Sequence, residues 1–287
     1  MDVKKICVIG SGQMGQQIAL NAAISGFDVV LNDSAQAALD KTDKWSKEYL
    51  QGRVEKGKLP AEQAADVQKR FTLEVDLEKA AKDADMVIEA IIEKLEIKRE
   101  LLAKLDKICP KHTILASNSS SFVPSQMADA TQRPDKVVDM HFFNPALVME
   151  LVEVVQGPQT SDETAQITME VSRKMNKVPI LLKKEINGFV VNRILGRTFE
   201  EACRLLEAGI ASAEDIDLAV TKGLRWPMGP CTTMDLSGID TCYLIRVQRF
   251  AESQNEIDRP PEILRKMYEE GTLGRKSGKG FYEYPKK

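Results

Sequence analysis

The sequence predicts an α/β fold, with a mainly parallel sheet flanked by helices over residues 1–185 and an all-α region over residues 186–287. Three observations carry this. Up to about residue 184, short apolar runs alternate with longer amphipathic ones. A glycine-rich turn joins the first of each kind. Beyond Asn187 the apolar spacing turns helical and stays so.

In chain order, VKKICVIG reads as a buried strand. MGQQIALNAAISG reads as a helix, with Ile18, Ala22 and Ala23 on one face and Gly26 at its exit. FDVVLND is a second strand. A charged helical stretch follows from about Ala35 to Lys58, and Leu59-Pro60 interrupts it. DADMVIEAI and HTILASN read as strands around the helix LEIKRELLAKLDKIC, and KVVDMHFF, MELVEVV and VPILLKK as further extended segments. Strands alternating with helices of this length imply βαβ units. In the second part, Phe189, Val190, Ile194, Phe199, Ala202, Leu205 and Leu206 follow one helical face, with Asn187 as a candidate cap and Gly209 as a stop. SAEDIDLAVTKG carries a capping signature, Ser212 with Asp215 three residues later. The next candidate strand is FYEY, near the end.

Composition narrows the function classes. With 43% hydrophobic and 29% charged residues the chain can build a core and stay in solution. A net charge of −3, from interspersed signs, argues against general nucleic-acid binding but leaves room for a local basic patch. The five cysteines are widely spaced without a CxxC pair, so free thiols in a reducing, cytoplasmic setting are expected and no metal is. No apolar run approaches the roughly 20 residues of a membrane span. The start, MDVKKICVIG, lacks the long apolar segment of a signal peptide.

The chemistry begins at GSGQMG, Gly10 to Gly15. Alone, G-x-G-x-x-G is a weak signal, but here it follows a strand and opens a helix. Gly10 permits the tight turn, Gly12 admits a pyrophosphate, and Gly15 lets helix and strand pack closely. Asp33, closing the second strand, can accept both ribose hydroxyls of an adenosine and would repel a 2′-phosphate, and Ser34-Ala35 supplies no compensating arginine. The reading is a Rossmann-like domain that takes NAD in preference to NADP. Such a domain also occurs in sensors and synthases, so redox chemistry needs further residues.

Those residues fall in HFFNPALVMELVEVV. Two extended segments meet at Asn144-Pro145. If they are neighbours, His141 can face a carboxylate. Glu150 and Glu153, three apart, point to opposite faces of a strand, so one of them reaches the ring. An imidazole with a carboxylate on its other nitrogen suits hydroxyl–carbonyl interconversion. Spacing alone equally allows a buried histidine satisfied by a backbone carbonyl. The second histidine, His112 in PKHTIL, reads as a turn residue. SNSSS, Ser117 to Ser121, ends a strand where ligands of open sheets bind, or caps the helix before VPSQMADA.

Taken with VIEAIIEKLEIKRELL, INGFVVNRIL, GLRWPMGP and GRKSGKGFYEY, these segments resemble, in order and over nearly the whole chain, the short-chain L-3-hydroxyacyl-CoA dehydrogenase family, most closely its bacterial 3-hydroxybutyryl-CoA branch. The resemblance implies an NAD-dependent dehydrogenase of (3S)-3-hydroxyacyl-CoA, with His141 and Glu153 as the acid/base pair and Ser120 and Asn192 on the substrate. It places NAD on Gly10, Gly12, Gln13, Met14, Gly15, Asp33, Glu93, Lys98, Ser120, Asn144 and Lys276, and CoA near Lys56. It further implies a helical C-terminal domain serving substrate binding and dimerisation, so a homodimer or higher homo-oligomer with an acyl-CoA partner. The family usually has threonine where Ser119 stands, and proline where this chain has Asn187. Two other readings are a dehydrogenase of free 2- or 3-hydroxy acids, and a structural or NAD-sensing relative, as some lens crystallins are. Joint retention of Ser120, His141, Glu153 and Asn192 argues against the latter.

Overall fold

The computed structural model describes residues 1–285, with the side chains of residues 252 and 253 left aside. It divides into two units, Met1–Phe189 and Val190–Lys287. The first alternates strand and helix: β1 Lys5–Ile9, α1 Gln13–Ile24, β2 Asp28–Asn32, α2 Gln36–Glu55, α3 Ala61–Arg70, β3 Phe71–Glu74, α4 Leu77–Ala81, β4 Met86–Glu89, α5 Leu95–Ile108, β5 Ile114–Ser117, α6 Ser125–Ala128, β6 Val137–Phe142, β7 Leu151–Val155, α7 Asp162–Lys174 and β8 Val178–Leu182.

The strands form one eight-stranded sheet in the order β3-β2-β1-β4-β5-β6-β7-β8. Every neighbouring pair is parallel except β6 and β7, which run antiparallel. β1 and β4 lie side by side, so the strand order reverses there and opens a crevice at their carboxyl ends. Each face of the sheet carries its own core because successive side chains alternate. Val138, Met140 and Phe142 of β6 join Ile18 and Leu20 of α1 and Val171 of α7. Val137 of the same strand joins Leu102 and Leu105 of α5 and Met127 of α6.

The second unit contains α8 Val191–Glu207, α9 Ala213–Gly223, α10 Pro230–Ser237, α11 Ile239–Ser253 and α12 Glu262–Glu269. Phe199, Ala202, Cys203, Ile216, Met234, Ile239 and Leu264 form its core. Ser212 caps α9 by accepting the Asp215 N–H at 3.1 Å. No helix among the described residues is long and apolar enough to cross a membrane.

Three local expectations change. The helix expected from Phe189 starts at Val191, with Val190 at its N-cap. Gly188 and Phe189 take positive φ values of 76° and 48°, which turn the chain before the helix can begin. FYEY is not a strand: the Phe281 and Tyr282 N–H groups donate to the buried Asp235 carboxylate at 2.9 and 3.0 Å, with only isolated bridges nearby. β3 was not foreseen. Its four residues are exposed or half-buried at the sheet's edge, so they lack an apolar run.

One buried group stands out. Asp139 of β6 is fully buried, and neither carboxyl oxygen has a hydrogen-bond partner among the described residues. Its register neighbour on β5 is Ser117, whose own β4 neighbour is Glu89. Burial, then the negative Glu89, push the Asp139 carboxyl well above its ordinary 3.8, against the pull of Lys98. The folded chain therefore keeps a proton that the unfolded chain releases, and this group's contribution worsens as pH rises above about 4. We predict that Asp139→Asn gains Tm relative to the parent by about 2 °C or more at about pH 8, and by less at about pH 4. Thermal melts at the two pH values check this. A pH-independent difference would mean that the carboxyl is ionised in the fold.

Candidate active site

The turn between β1 and α1 meets the steric demands of a phosphate cradle. Gly10 has φ +99°, and a Cβ there would stand 2.6 Å from the Ala90 carbonyl oxygen. A Cβ on Gly15 would stand 1.7 Å from the Gly10 oxygen, so strand and helix touch through glycine alone. Gly12 differs: nothing lies within 4 Å of where its Cβ would be, which leaves room for a ligand's backbone. Gly12 is also the N-cap of α1 and brings no side-chain cap, so the first-turn N–H groups and the positive end of the helix are presented to an anion.

Asp33 follows β2 beside this turn. It accepts the Ser11 N–H and hydroxyl at 2.8 Å each and the Ala35 N–H at 3.0 Å. Burial alone would raise its pKa, but these hydrogen bonds outweigh burial and lower it, so the group is a carboxylate. Gln13 reaches from the first turn of α1 to the Asn144 side-chain oxygen at 3.2 Å. Met14 packs against the core.

His141 and Glu153 are directly opposed across the antiparallel β6–β7 pair. Nδ1 of the ring lies 2.9 Å from Oε2 of the carboxylate. The ring is 6% exposed and the glutamate 0%. Phe143 meets the ring edge-on at 4.7 Å between centroids, and Phe189 tilts against it at 5.4 Å. Phe189, expected on a helix face, is thus part of the ring's apolar wall. Glu150 lies exposed just before β7, so Glu153 is the glutamate that meets the ring.

The serine loop after β5 is held by Glu93. Its Oε1 accepts the Ser119 hydroxyl at 2.5 Å and the N–H groups of Ser120 and Ser121 at 3.2 and 3.1 Å. Its Oε2 meets the Lys98 ammonium at 3.1 Å. Lys98 is 1% exposed and also donates to both oxygens of Glu89, at 2.8 and 2.9 Å. The Ser117 hydroxyl donates to the same Glu89. Asn118 accepts the Phe142 N–H at 2.9 Å, tying this loop to β6. So Glu93 and Lys98 belong to one ionic network, buried at Lys98 and Glu89 and exposed at Glu93, that sets the loop carrying the half-buried Ser120. Sequence reasoning missed Glu89, although its signal was present: a carboxylate ending an apolar strand, within reach of a lysine in the next helix.

Lys56 is exposed at the end of α2. Asn192 is half-buried in the first turn of α8, and Lys276 pairs with Asp240 at 2.5 Å, both in the second unit. His112 contacts Asp85 at 3.1 Å on the surface.

A doubly wound sheet with an open glycine cradle, an ionised acid beside it and a buried imidazole–carboxylate pair on the same sheet defines an NAD-dependent oxidoreductase. The comparisons narrow this further. Residues 5–186 match the NAD binding domain of 3-hydroxyacyl-CoA dehydrogenase, and residues 188–284 match its C-terminal domain. The chain belongs to the 3-hydroxyacyl-CoA dehydrogenase family. It is 42% identical to a probable 3-hydroxybutyryl-CoA dehydrogenase of Bacillus subtilis, over 100% of this chain and 99% of that one. Its fold is similar to the crystal structure of (S)-3-hydroxybutyryl-CoA dehydrogenase from Ralstonia eutropha, with a TM-score of 0.94 and 36% identity over 99% of this chain and 100% of that one. It is also similar to 3-hydroxybutyryl-CoA dehydrogenase from Escherichia coli, with a TM-score of 0.95 and 38% identity, covering 100% of this chain but 61% of that longer one.

An ionised Asp33 beside the cradle predicts that NADH binds at least about tenfold more tightly than NADPH, and that Asp33→Ala narrows that ratio. Fluorescence titration of both coenzymes checks it. Equal affinities in the parent protein would remove Asp33 from the ribose.

Proposed function

We propose that this chain interconverts (3S)-3-hydroxybutyryl-CoA and acetoacetyl-CoA, with His141 and Glu153 as the acid/base pair. The observation that carries the reading is the buried 2.9 Å contact between His141 Nδ1 and Glu153 Oε2. The printed names of the relatives, 3-hydroxybutyryl-CoA dehydrogenases among them, support the substrate.

Gly10, Gly12, Gln13, Met14, Gly15, Asp33, Glu93, Lys98, Ser120, Asn144 and Lys276 would hold NAD, which would supply hydride acceptance at C3 of the alcohol and, as NADH, hydride donation in the reverse direction. The chain's own task is the proton. With Nδ1 committed to Glu153, Nε2 is the nitrogen that takes the hydroxyl proton during oxidation and gives it back to the alkoxide during reduction. Glu153 holds the ring's orientation and stabilises the imidazolium, as the aspartate does in a serine-protease triad. The walls of Phe143 and Phe189 limit water at the ring, which strengthens this ion pair. Ser120 and Asn192 hold the substrate oxygens. Lys56, exposed at the end of α2, meets a phosphate of CoA.

Two properties of the whole molecule complete the proposal. The helical unit exposes Ile194, Leu218, Leu224 and Ile245 at 48% or more, and we assign such apolar surface to self-association as a homodimer or higher oligomer. All five cysteines are free and buried, in keeping with a cytoplasmic setting.

Steady-state kinetics with NADH test the reading. Acetoacetyl-CoA should give a higher kcat/KM than longer 3-oxoacyl-CoAs and far higher than free acetoacetate; preference for the free acid would overturn the CoA assignment. His141→Gln should lose at least about 10²-fold in kcat while its Kd for NADH is unchanged. Near-normal turnover in that variant would remove the proposed acid. Glu153→Gln should slow turnover and shift the pH profile; an unchanged rate and profile would leave Glu153 a structural role alone.

A further inference from the structure

The connection between β6 and β7, residues 143–150, is gripped by buried polar groups that the chemistry above does not use. Within it, the N–H groups of Val148 and Met149 both donate to the Pro145 oxygen at 2.9 Å, so residues 145–149 make one helical turn. Carbonyls at the end of such a turn find no partner inside it. The Lys177 ammonium reaches two carbonyls of the turn, donating to the Ala146 oxygen at 2.6 Å and the Met149 oxygen at 2.9 Å. From the other side, the Leu147 N–H donates to Gln17 Oε1 at 3.3 Å. Lys177 and Gln17 are each only 8% exposed.

Local backbone chemistry aims Lys177 there. Asn176 takes a left-handed conformation, φ 56°, just after α7. The N–H groups of Asn176 and Lys177 turn back to the Arg173 and Ser172 carbonyls, both at 3.0 Å. The Met175 carbonyl accepts the Asn21 side-chain N–H at 3.3 Å. Helix α1 therefore carries a polar stripe at four-residue spacing, on a helix otherwise apolar but for Gln16. Gln13 holds Asn144, Gln17 holds Leu147, and Asn21 holds the turn that delivers Lys177. The first turn of that same helix is the glycine cradle.

We propose that Lys177 is a positioning residue for the coenzyme: by capping the 145–149 turn it holds Asn144 against Gln13 at the cradle. A buried ammonium is costly, and burial does lower its pKa, with Glu150 opposing. An apolar side chain would avoid that cost but would leave the buried Ala146 carbonyl and the part-buried Met149 carbonyl without this donor, and the turn free to shift. His141 and Glu153 are fixed independently, because the β6–β7 ladder holds the strands on which they stand. Loosening the turn should therefore weaken coenzyme binding and spare the acid/base pair.

The inference rests on the reading of Asn144 as a coenzyme contact, so the experiment separates the two. NADH is titrated by fluorescence into the full-length parent, Lys177→Met, Gln17→Leu, Asn144→Ala and the double variant Lys177→Met/Asn144→Ala. The expected result is a Kd about tenfold higher for Lys177→Met, the scale of one charge-assisted hydrogen bond, and a smaller rise for Gln17→Leu. At saturating NADH, kcat of Lys177→Met should stay within about threefold of the parent, with an unmoved pH profile. In the Asn144→Ala background, Lys177→Met should raise Kd no further, because it acts through that residue. A parent-like Kd in Lys177→Met alongside a weakened Asn144→Ala would overturn the role of Lys177 alone. An unchanged Kd in Asn144→Ala would overturn the coenzyme reading of Asn144, and the present inference with it. Additive effects in the double variant would reduce Lys177 to general stability. If Lys177→Met does not fold, Gln17→Leu and its combination with Asn144→Ala decide the same question from the opposite side of the turn.

Discussion

The antiparallel pairing of β6 with β7 is the constraint on which the site depends. All other neighbours in the sheet are parallel. Here a short connection returns the chain directly and places His141 across from Glu153 on one face. A buried carboxylate without a partner would be unfavourable by several kcal/mol, so the imidazole and the glutamate stabilise each other's burial. The backbone ladder sets their separation before any ligand arrives. That is the meaning of preorganisation in this protein: the geometry belongs to the sheet and is not assembled from mobile loops.

Around the pair runs a row of polar groups in register. Glu89, Ser117 and Asp139 are successive partners on β4, β5 and β6, and Lys98 supplies the compensating positive charge. Glu93 then transmits this network to the serine loop through three hydrogen bonds. The carboxyl ends of the strands are thus lined by hydrogen-bonded and ion-paired groups, and Asp139, without a hydrogen-bond partner among the described residues, is the one whose pKa burial and then Glu89 push up. A row of carboxyl groups this close cannot all ionise in a low-dielectric interior.

Much of this was legible in the sequence. Gly10, Gly12 and Gly15 fell between a strand and a helix, and Asp33 closed the next strand, because the steric needs of that turn are local. The boundary expected near residues 184–187 rested on the alternation of apolar and amphipathic runs giving way to helical spacing; the structure divides into its two units after Phe189. The face-to-face approach of His141 and Glu153 was only a conditional inference, since register is a tertiary property. Phe189 was assigned to a helix because its spacing fits one, but two successive positive φ values decide otherwise. β3 escaped notice because an edge strand with little burial needs no apolar run. Lys177, Gln17 and Asn21 gave no signal as a group: they meet only once α1 and the end of α7 lie on either side of one turn.

The two ends of the sheet show how this protein keeps its main-chain hydrogen bonding to itself. β3, at one end, is only four residues long. β8, at the other, exposes Val178 at 58% but has Pro179 next to it. Val178 spends its N–H on the Glu150 carbonyl, toward β7, so the following nitrogen faces outward, and in proline that nitrogen has no hydrogen to offer. An approaching foreign strand would find a gap where it needs a donor. The ring closure of one imino acid thereby blunts this edge of the sheet against pairing with a foreign strand.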